Sequence, residues 1–328
     1  MARDSITDAL NKMLLQKANE LIKSGMSEKE ISEHIDNDDI ELDKALSKMI
    51  DADSQQKLQY LKSHIFEISA ERRASASVFI ARQEEKWGKC FAASDAMYIL
   101  ATEAGELYGR YVEENVDAES KESSKYTFLA LQHLHGRACQ EFLEILYLMK
   151  LGFADGAYAR WRSMYELSCI GSFIRKQGEQ IARQYWEQSE TEAPSYAWAK
   201  GARDQNGKEL RRWTFRDIQD ACDVQKVWTK QYQLACLVNH ASPQGTFKRL
   251  ANGKTLGVIP VGHSDYGITT PAEHSAISLA WITNLFLTIF PYGDGIVNCN
   301  VLNAWVDIIR DRYFSAHDEI FKDLEKEV

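Results

Sequence analysis

The sequence predicts an all-α fold, and three observations carry that expectation. All five prolines (Pro194, Pro243, Pro260, Pro271, Pro291) lie late in the chain, so residues 1–193 contain no helix breaker of that kind. Glycine is sparse over the same stretch, whereas Ala, Leu, Glu and Lys, all good helix formers, are frequent. Apolar residues recur at three- and four-residue spacing, as at Leu58, Leu61, Ile65 and Ile68. An all-β sandwich, a collagen-like chain and a proline-rich linker are excluded. With 45% hydrophobic and 27% charged residues, so is global disorder.

In chain order, residues 5–50 are expected to form short helices. Ser27 and Glu30 make a capping box, in which the hydroxyl and the carboxylate each satisfy a free N–H. The segment 18–50 loosely suggests a helix-turn-helix, but its third element, Asp39 to Lys44, is too acidic to enter a DNA groove comfortably; a helical hairpin used for packing or protein contact is expected instead. Residues 54–114 are helical. The polar stretch 117–125 lacks an apolar stripe and is the expected boundary between an acidic N-terminal helical module (1–125) and a helical domain (126–328).

The second part is expected to hold a helix over 126–151, a break at Gly152, and a strongly apolar helix over about 154–174. Residues 180–200 continue helically to Pro194, and 201–212 form an exposed loop around Asn206-Gly207. Residues 217–239 return to helix. Turn formers crowd 242–270, where 247–250 and 255–261 are expected to pair as a small hairpin around Asn252-Gly253. Thr270, Pro271 and Glu273 then open a helix as cap, first position and box partner. A last helix covers about 296–326.

Charge and cysteine usage narrow the function. Residues 1–125 hold 17 basic and 25 acidic side chains, net −8, while 126–328 hold 22 and 23, net −1, so a general nucleic-acid coat is disfavoured. Within 160–216 the balance reverses locally, 11 basic against 7 acidic, which suits either phosphates or a solvated helical face. Six scattered cysteines without a C-x-x-C pair read as reduced core thiols of a cytoplasmic protein. The opening Met1-Ala2-Arg3-Asp4 lacks an apolar signal core. Residues 275–293 carry no charge, but Asn284, two threonines and Pro291 mark them as a buried core helix rather than a membrane span.

The helix over 154–174 is where chemistry is expected. Asp155, Arg162 and Glu166 fall on one line of an otherwise apolar helix, since seven and then four residues return to the same face. Burying such charges costs several kcal/mol each unless they are paired. Arg162 and Glu166 can bridge at i,i+4, either as a structural pair or as a guanidinium held for an anion. The second element is Tyr232-x-x-x-Cys236-x-x-x-His240-Ala241-Ser242-Pro243, with Tyr232, Cys236 and His240 on one face and His240 at the helix end before a proline. A helix C-terminus favours imidazolium, so His240 is expected to titrate near neutrality. A His, a Tyr, an Arg and a Glu converging from two helices would make a general acid/base site.

Arg162-Ser163-Met164-Tyr165-Glu166, followed by this Tyr232-to-Pro243 element, resembles the prokaryotic domain-of-unknown-function family five-six-seven-seven over about residues 126–290. The chain departs from it in having Cys236 where a serine is usual. That family is similar in style to HEPN domains, helical units that include metal-independent ribonucleases of toxin and phage-defence systems. The resemblance implies a HEPN-like helical bundle, able to form a homodimer, with Arg and His near a phosphate. The expected function is a metal-independent ribonuclease or nucleotide-acting effector: Arg162 binds phosphate, Glu166 orients it, and His240 is acid/base with Tyr232 assisting. The alternative is a non-enzymatic interaction protein whose charged row is structural and whose acidic module docks a protein partner. No cofactor, metal or membrane is expected.

Other candidates are weaker. Arg312-x4-His317 matches the HEPN Arg-x4–6-His pattern literally, on a helix with solvated neighbours. His133 and His135 point two ways, although His135 and Cys139 share a face. His263, Asp265, Glu273 and His274 cluster near a loop without a known metal spacing. Trp186, Tyr196, Trp198, Trp213 and Phe215, interleaved with Arg183, Lys200, Arg203, Arg211, Arg212 and Arg216, suit either base stacking or core packing.

Overall fold

The expectation of helices is met throughout the computed structural model, which describes residues 5–37, 39–222, 226–240, 242–247, 250 and 261–322. Among the described residues there are twelve α-helices and one short 3-10 turn, and the only extended pairing is a single bridge between Arg203 and Glu209. The chain divides into two units, Met1–Ser75 and Ala76–Val328.

In the first unit, α1 (Ser5–Lys23) and α2 (Glu28–Asn37) are joined by a turn in which Gly25 takes φ +89°, a conformation that suits glycine. The Ser27 capping box forms as expected: Ser27 N–H donates to Glu30 Oε2 (2.9 Å) and Glu30 N–H to Ser27 Oγ (3.5 Å). The third short helix expected within 5–50 is not separate. It opens α3 (Asp39–Asn115), a helix of 77 residues. No glycine or proline lies between Gly25 and Gly88, so nothing in the sequence stops it. Leu58, Leu61, Ile65 and Ile68 are exposed along α3.

The second unit begins within α3, whose Trp87, Phe91, Met97 and Tyr108 are buried in the main core. The polar stretch 117–125 connects two helices of this one unit, and the division falls at Ser75/Ala76 instead. The stretch is polar because most of it is exposed: it forms α4 (Ala118–Ser123), capped by Asp117 Oδ1 accepting from Ser120 N–H at 2.8 Å. Next come α5 (Lys125–Lys150), α6 (Ala154–Gln177) and α7 (Glu179–Gln188). Glu179 reaches back to accept the backbone N–H groups of Tyr126 (2.6 Å) and Thr127 (3.0 Å), so α7 caps the start of α5.

A 3-10 turn at Ala197–Ala199 and the Asn206-Gly207 loop lead to α8 (Phe215–Ala221), which opens on a Thr214–Asp217 capping box, and to α9 (Lys226–Asn239). The single helix expected over 217–239 is therefore two. Cys222 is extended (ψ 149°), its thiol donating to the Cys169 carbonyl at 3.3 Å.

After α10 (Pro243–Phe247) come α11 (Thr269–Leu287) and α12 (Gly293–Phe321). Most of the expected hairpin lies outside the described residues, and Phe247 ends α10. Thr270 does not cap α11: the helix starts at Thr269, two residues before the expected first position Pro271, without a side-chain cap, and Glu273 is drawn instead to Arg310. α6 is the central helix, packed by α5, α11, α9 and α8. The uncharged stretch 275–293 is mostly α11, which buries Leu279, Ile282, Phe286 and Leu287. Among the described residues no helix is long and apolar enough to cross a membrane.

Candidate functional site

The polar line on α6 meets α9 as the spacing suggested. The Arg162 guanidinium lies 2.6 Å from Glu166 Oε1, and the Tyr232 hydroxyl donates to the same oxygen, also at 2.6 Å. The guanidinium stands 5.6 Å above the Tyr232 ring. One carboxylate oxygen therefore ties two helices together and fixes the arginine. Side-chain exposure is 30% for Arg162 and 22% for Glu166, so water reaches both, yet Arg162 Nε is buried without a partner. Burial works against the guanidinium charge, but contact with Tyr232 and Glu166 outweighs it and raises the pKa further. Burial and the neighbouring carboxylate push the Tyr232 phenol well above its ordinary range, so Tyr232 keeps its proton and serves as a donor.

Aromatic rings hold this cluster. Tyr165 and Phe215 lie 5.0 and 5.1 Å from the Tyr232 ring, and Gln219 donates to the Tyr165 hydroxyl at 2.6 Å. One turn before Arg162, Tyr158 donates to the Gln231 carbonyl at 2.9 Å and stacks on Trp161 at 5.3 Å. Asp155, at the start of the polar line, accepts from Leu250 N–H at 2.7 Å and so anchors the chain beyond α10.

His240 is not part of the cluster. It stands exposed just past the end of α9, eight residues beyond Tyr232, which at 1.5 Å per residue is about 12 Å along the axis. Its N–H still closes the last turn onto Cys236 (3.0 Å), and its ring makes no hydrogen bond or ion pair among the described residues. The end of α9 is shaped by Gly245: a Cβ there would meet the Leu237 carbonyl oxygen at 2.0 Å, so only glycine lets α10 approach so closely. Cys236, one turn after Tyr232, is half-buried, and all six cysteines are free.

The sequence underrated His274. It is buried, with neither ring nitrogen hydrogen-bonded, among Trp161 (4.7 Å), Trp228 (5.3 Å) and Tyr158 (6.0 Å). Burial lowers its pKa, against the opposing pull of Glu273. Trp228 and Tyr158 each sit one turn before a site residue, Tyr232 and Arg162, and that is the signal that would have found this aromatic wall.

The remaining candidates disperse. Arg312 opens onto a hollow of about 560 Å³ beside Lys86 and Lys89, whereas His317 packs on Phe321 (4.9 Å) and Tyr266 (6.1 Å), so the two do not converge. His135 is buried against Cys139 (3.5 Å) and Phe286 (5.3 Å), while His133 is exposed. His263 bonds the Leu151 carbonyl, Asp265 pairs with Lys86 and Glu273 with Arg310. Among the described residues no group of three or more His, Cys, Asp or Glu side chains is placed to hold a metal ion. Of the aromatic and basic series, Trp198 is core, Tyr196 and Phe215 are half-buried, and Trp186 and Trp213 are exposed.

No curated protein and no solved structure matches the chain. Residues 128–197, from α5 to the 3-10 turn and so including Arg162 and Glu166 but not Tyr232 or His240, match the model of a family described as a family of unknown function, DUF5677.

Proposed function

We propose that the second unit is a HEPN-like effector that acts on RNA or a nucleotide, with Arg162 as the phosphate-binding group. The observation that carries this reading is the Arg162–Glu166–Tyr232 cluster. A permanently charged guanidinium is held by one carboxylate oxygen on a side chain that is 30% exposed, so an anion can approach it from the solvent side while Nε stays buried. Glu166 and Tyr232 are positioning residues in this scheme, since both bind the guanidinium or each other. His240, accessible at the end of α9, is the acid/base group: it takes the proton of the 2′-hydroxyl as that oxygen bonds to the adjacent phosphorus, and the resulting imidazolium gives a proton to the 5′-oxygen as its bond to phosphorus breaks, leaving a 2′,3′-cyclic phosphate. With about two helical turns between them, Arg162 engages a phosphate next to the scissile one rather than the scissile one itself. This chemistry belongs to the cytoplasm and to the toxin and defence effectors of the HEPN type.

The test is turnover of single-stranded RNA in the presence of a chelator. Wild type is expected to cleave, and His240→Ala to lose at least about a hundredfold in rate, as for removal of a general acid/base. Cleavage unchanged in His240→Ala ends the assignment of that residue.

A second reading is favoured by one observation: the cluster closes on itself, with Glu166 satisfied by both of its neighbours. In that case the pair is a structural tie between α6 and α9, and the protein is a non-enzymatic interaction partner. Arg162→Ala and Glu166→Ala then unfold the second unit, whereas under the first reading Arg162→Lys keeps the fold and loses function.

A further inference from the structure

A second hollow, of about 570 Å³, lies between α5 and α7 and shares no lining residue with the Arg162 cluster. Its size is that of small-molecule sites. Trp186, 37% exposed, forms one wall, with Tyr185 and Trp198 beside it. From α5 come His133 and Arg137, one turn apart, and the His133 ring lies 5.6 Å from that of Trp186.

The polar groups of α7 and the following turn are already occupied. Gln188 donates to the Pro194 carbonyl, Ser189 to that of Trp186, and the Trp198 indole to that of Ser195. Arg137 is different. Its Nε donates to Glu141 Oε1 at 2.9 Å, and Glu141 is fully buried, its same oxygen also accepting from Ser163 (3.0 Å) and facing Arg160 (3.4 Å). A buried carboxylate held from three sides fixes one edge of the Arg137 guanidinium and leaves its terminal nitrogens without a partner among the described residues, on a side chain 61% exposed. The hollow thus offers a flat aromatic face beside a cation whose orientation is set from behind, and only Glu190 among its lining residues is acidic.

We infer that this hollow binds a planar aromatic anion, a heteroaromatic ring bearing phosphate or carboxylate, with the ring stacked on Trp186 and the anion on the terminal nitrogens of Arg137. The binding does not depend on the role given to Arg162. His133, exposed beside Trp186, edges the ring, and Glu190 works against the ligand charge.

The experiment is calorimetric titration of the full chain with four probes: adenosine 5′-monophosphate, indole-3-acetate, adenosine and inorganic phosphate. One of the two aromatic anions is expected to bind at least about tenfold more tightly than adenosine or phosphate, because stacking and the charge-assisted bonds each contribute on that scale. Preference for the monophosphate identifies a phosphate ligand, and preference for indole-3-acetate a carboxylate. Trp186→Ala weakens the preferred probe about tenfold or more. Arg137→Lys keeps the charge near Glu141 but loses the fork, and narrows the advantage of the anion over adenosine. Glu190→Gln tightens binding about two- to threefold by removing a like charge. Melting temperatures of the variants are recorded alongside, and Glu190→Gln, on an exposed residue, leaves the fold intact. The inference is overturned if neither aromatic anion binds with a Kd below about 1 mM. It is equally overturned if adenosine binds as tightly as the monophosphate and indole-3-acetate, or if Trp186→Ala leaves affinity unchanged.

Discussion

Removing only the hydroxyl of Tyr232 isolates the bond that joins α9 to the polar line of α6. In Tyr232→Phe the ring keeps its neighbours at 5.0 Å (Tyr165) and 5.1 Å (Phe215) and still lies under the guanidinium of Arg162, so packing is preserved. What is lost is a 2.6 Å hydrogen bond to a carboxylate that is 22% exposed. Hydrogen bonds to charged groups contribute roughly 1.5–3 kcal/mol, and partial exposure lets water replace some of this, giving about 2 kcal/mol. For a unit of this size that lowers the melting temperature by about 4–8 °C. Glu166→Gln leaves an oxygen acceptor but no charge, so the same Tyr→Phe change in that background costs only about 1 kcal/mol. Urea unfolding of the four proteins completes a double-mutant cycle with a coupling of about 1 kcal/mol. A cost below about 0.5 kcal/mol for Tyr232→Phe, or an equal cost in both backgrounds, refutes the claim that Glu166 ties the two helices through this hydroxyl.

The remaining predictions concern the core and the glycines. Burial pushes the His135 pKa from 6.5 down to about 4, so the folded state holds the ring neutral while the unfolded chain protonates below 6.5. Stability is therefore lost as pH falls from about 6.5 towards 4, by on the order of 3 kcal/mol, and His135→Gln removes that part of the acid limb in pH-dependent denaturation. At Gly105 a Cβ would meet His135 Cε1 at 2.5 Å, within a ring that is already packed, so Gly105→Ala destabilises by about 1–3 kcal/mol despite its gain in helix propensity. Gly109, four residues on, has nothing within 4 Å of such a Cβ, and Gly109→Ala stabilises by about 0.5–1 kcal/mol in the same melts. Finally, Gly245→Ala drives a Cβ into the Leu237 carbonyl, displacing α10 from the end of α9; if His240 there is the acid/base group as proposed, metal-free RNA turnover falls by about tenfold or more.

How much of this was legible depends on whether the information was local. Arg162 and Glu166 were readable because helical spacing alone places i and i+4 on one face, and the apolar context of α6 made their pairing a necessity. Tyr232 was readable as the first polar aromatic of the element that ends at Pro243. The same logic misplaced His240: periodicity reports which face a residue occupies, not its height along the axis, and eight residues are about 12 Å. His274 was hidden because its surroundings come from two other helices, α6 and α9, that meet its own helix α11, and no local pattern announces such a meeting. The division at Ser75/Ala76 was equally silent, since it falls inside an unbroken helix, whereas the polar composition of 117–125 recorded only exposure. The closed start of α11 was misread because Glu273 had a stronger partner in Arg310, 37 residues away in the chain, than in a cap three residues away.

The measurement that bears most directly on the proposed phosphate-binding role of Arg162 is the affinity of a single-stranded RNA oligonucleotide for wild type and for Arg162→Lys, at one fixed salt concentration and with melting temperatures recorded for both. Lysine retains the charge and loses only the planar fork. If Arg162 binds phosphate through its fork, the melting temperature stays within about 3 °C of wild type and the affinity falls about tenfold. An affinity equal to that of wild type in a stably folded Arg162→Lys protein would contradict it.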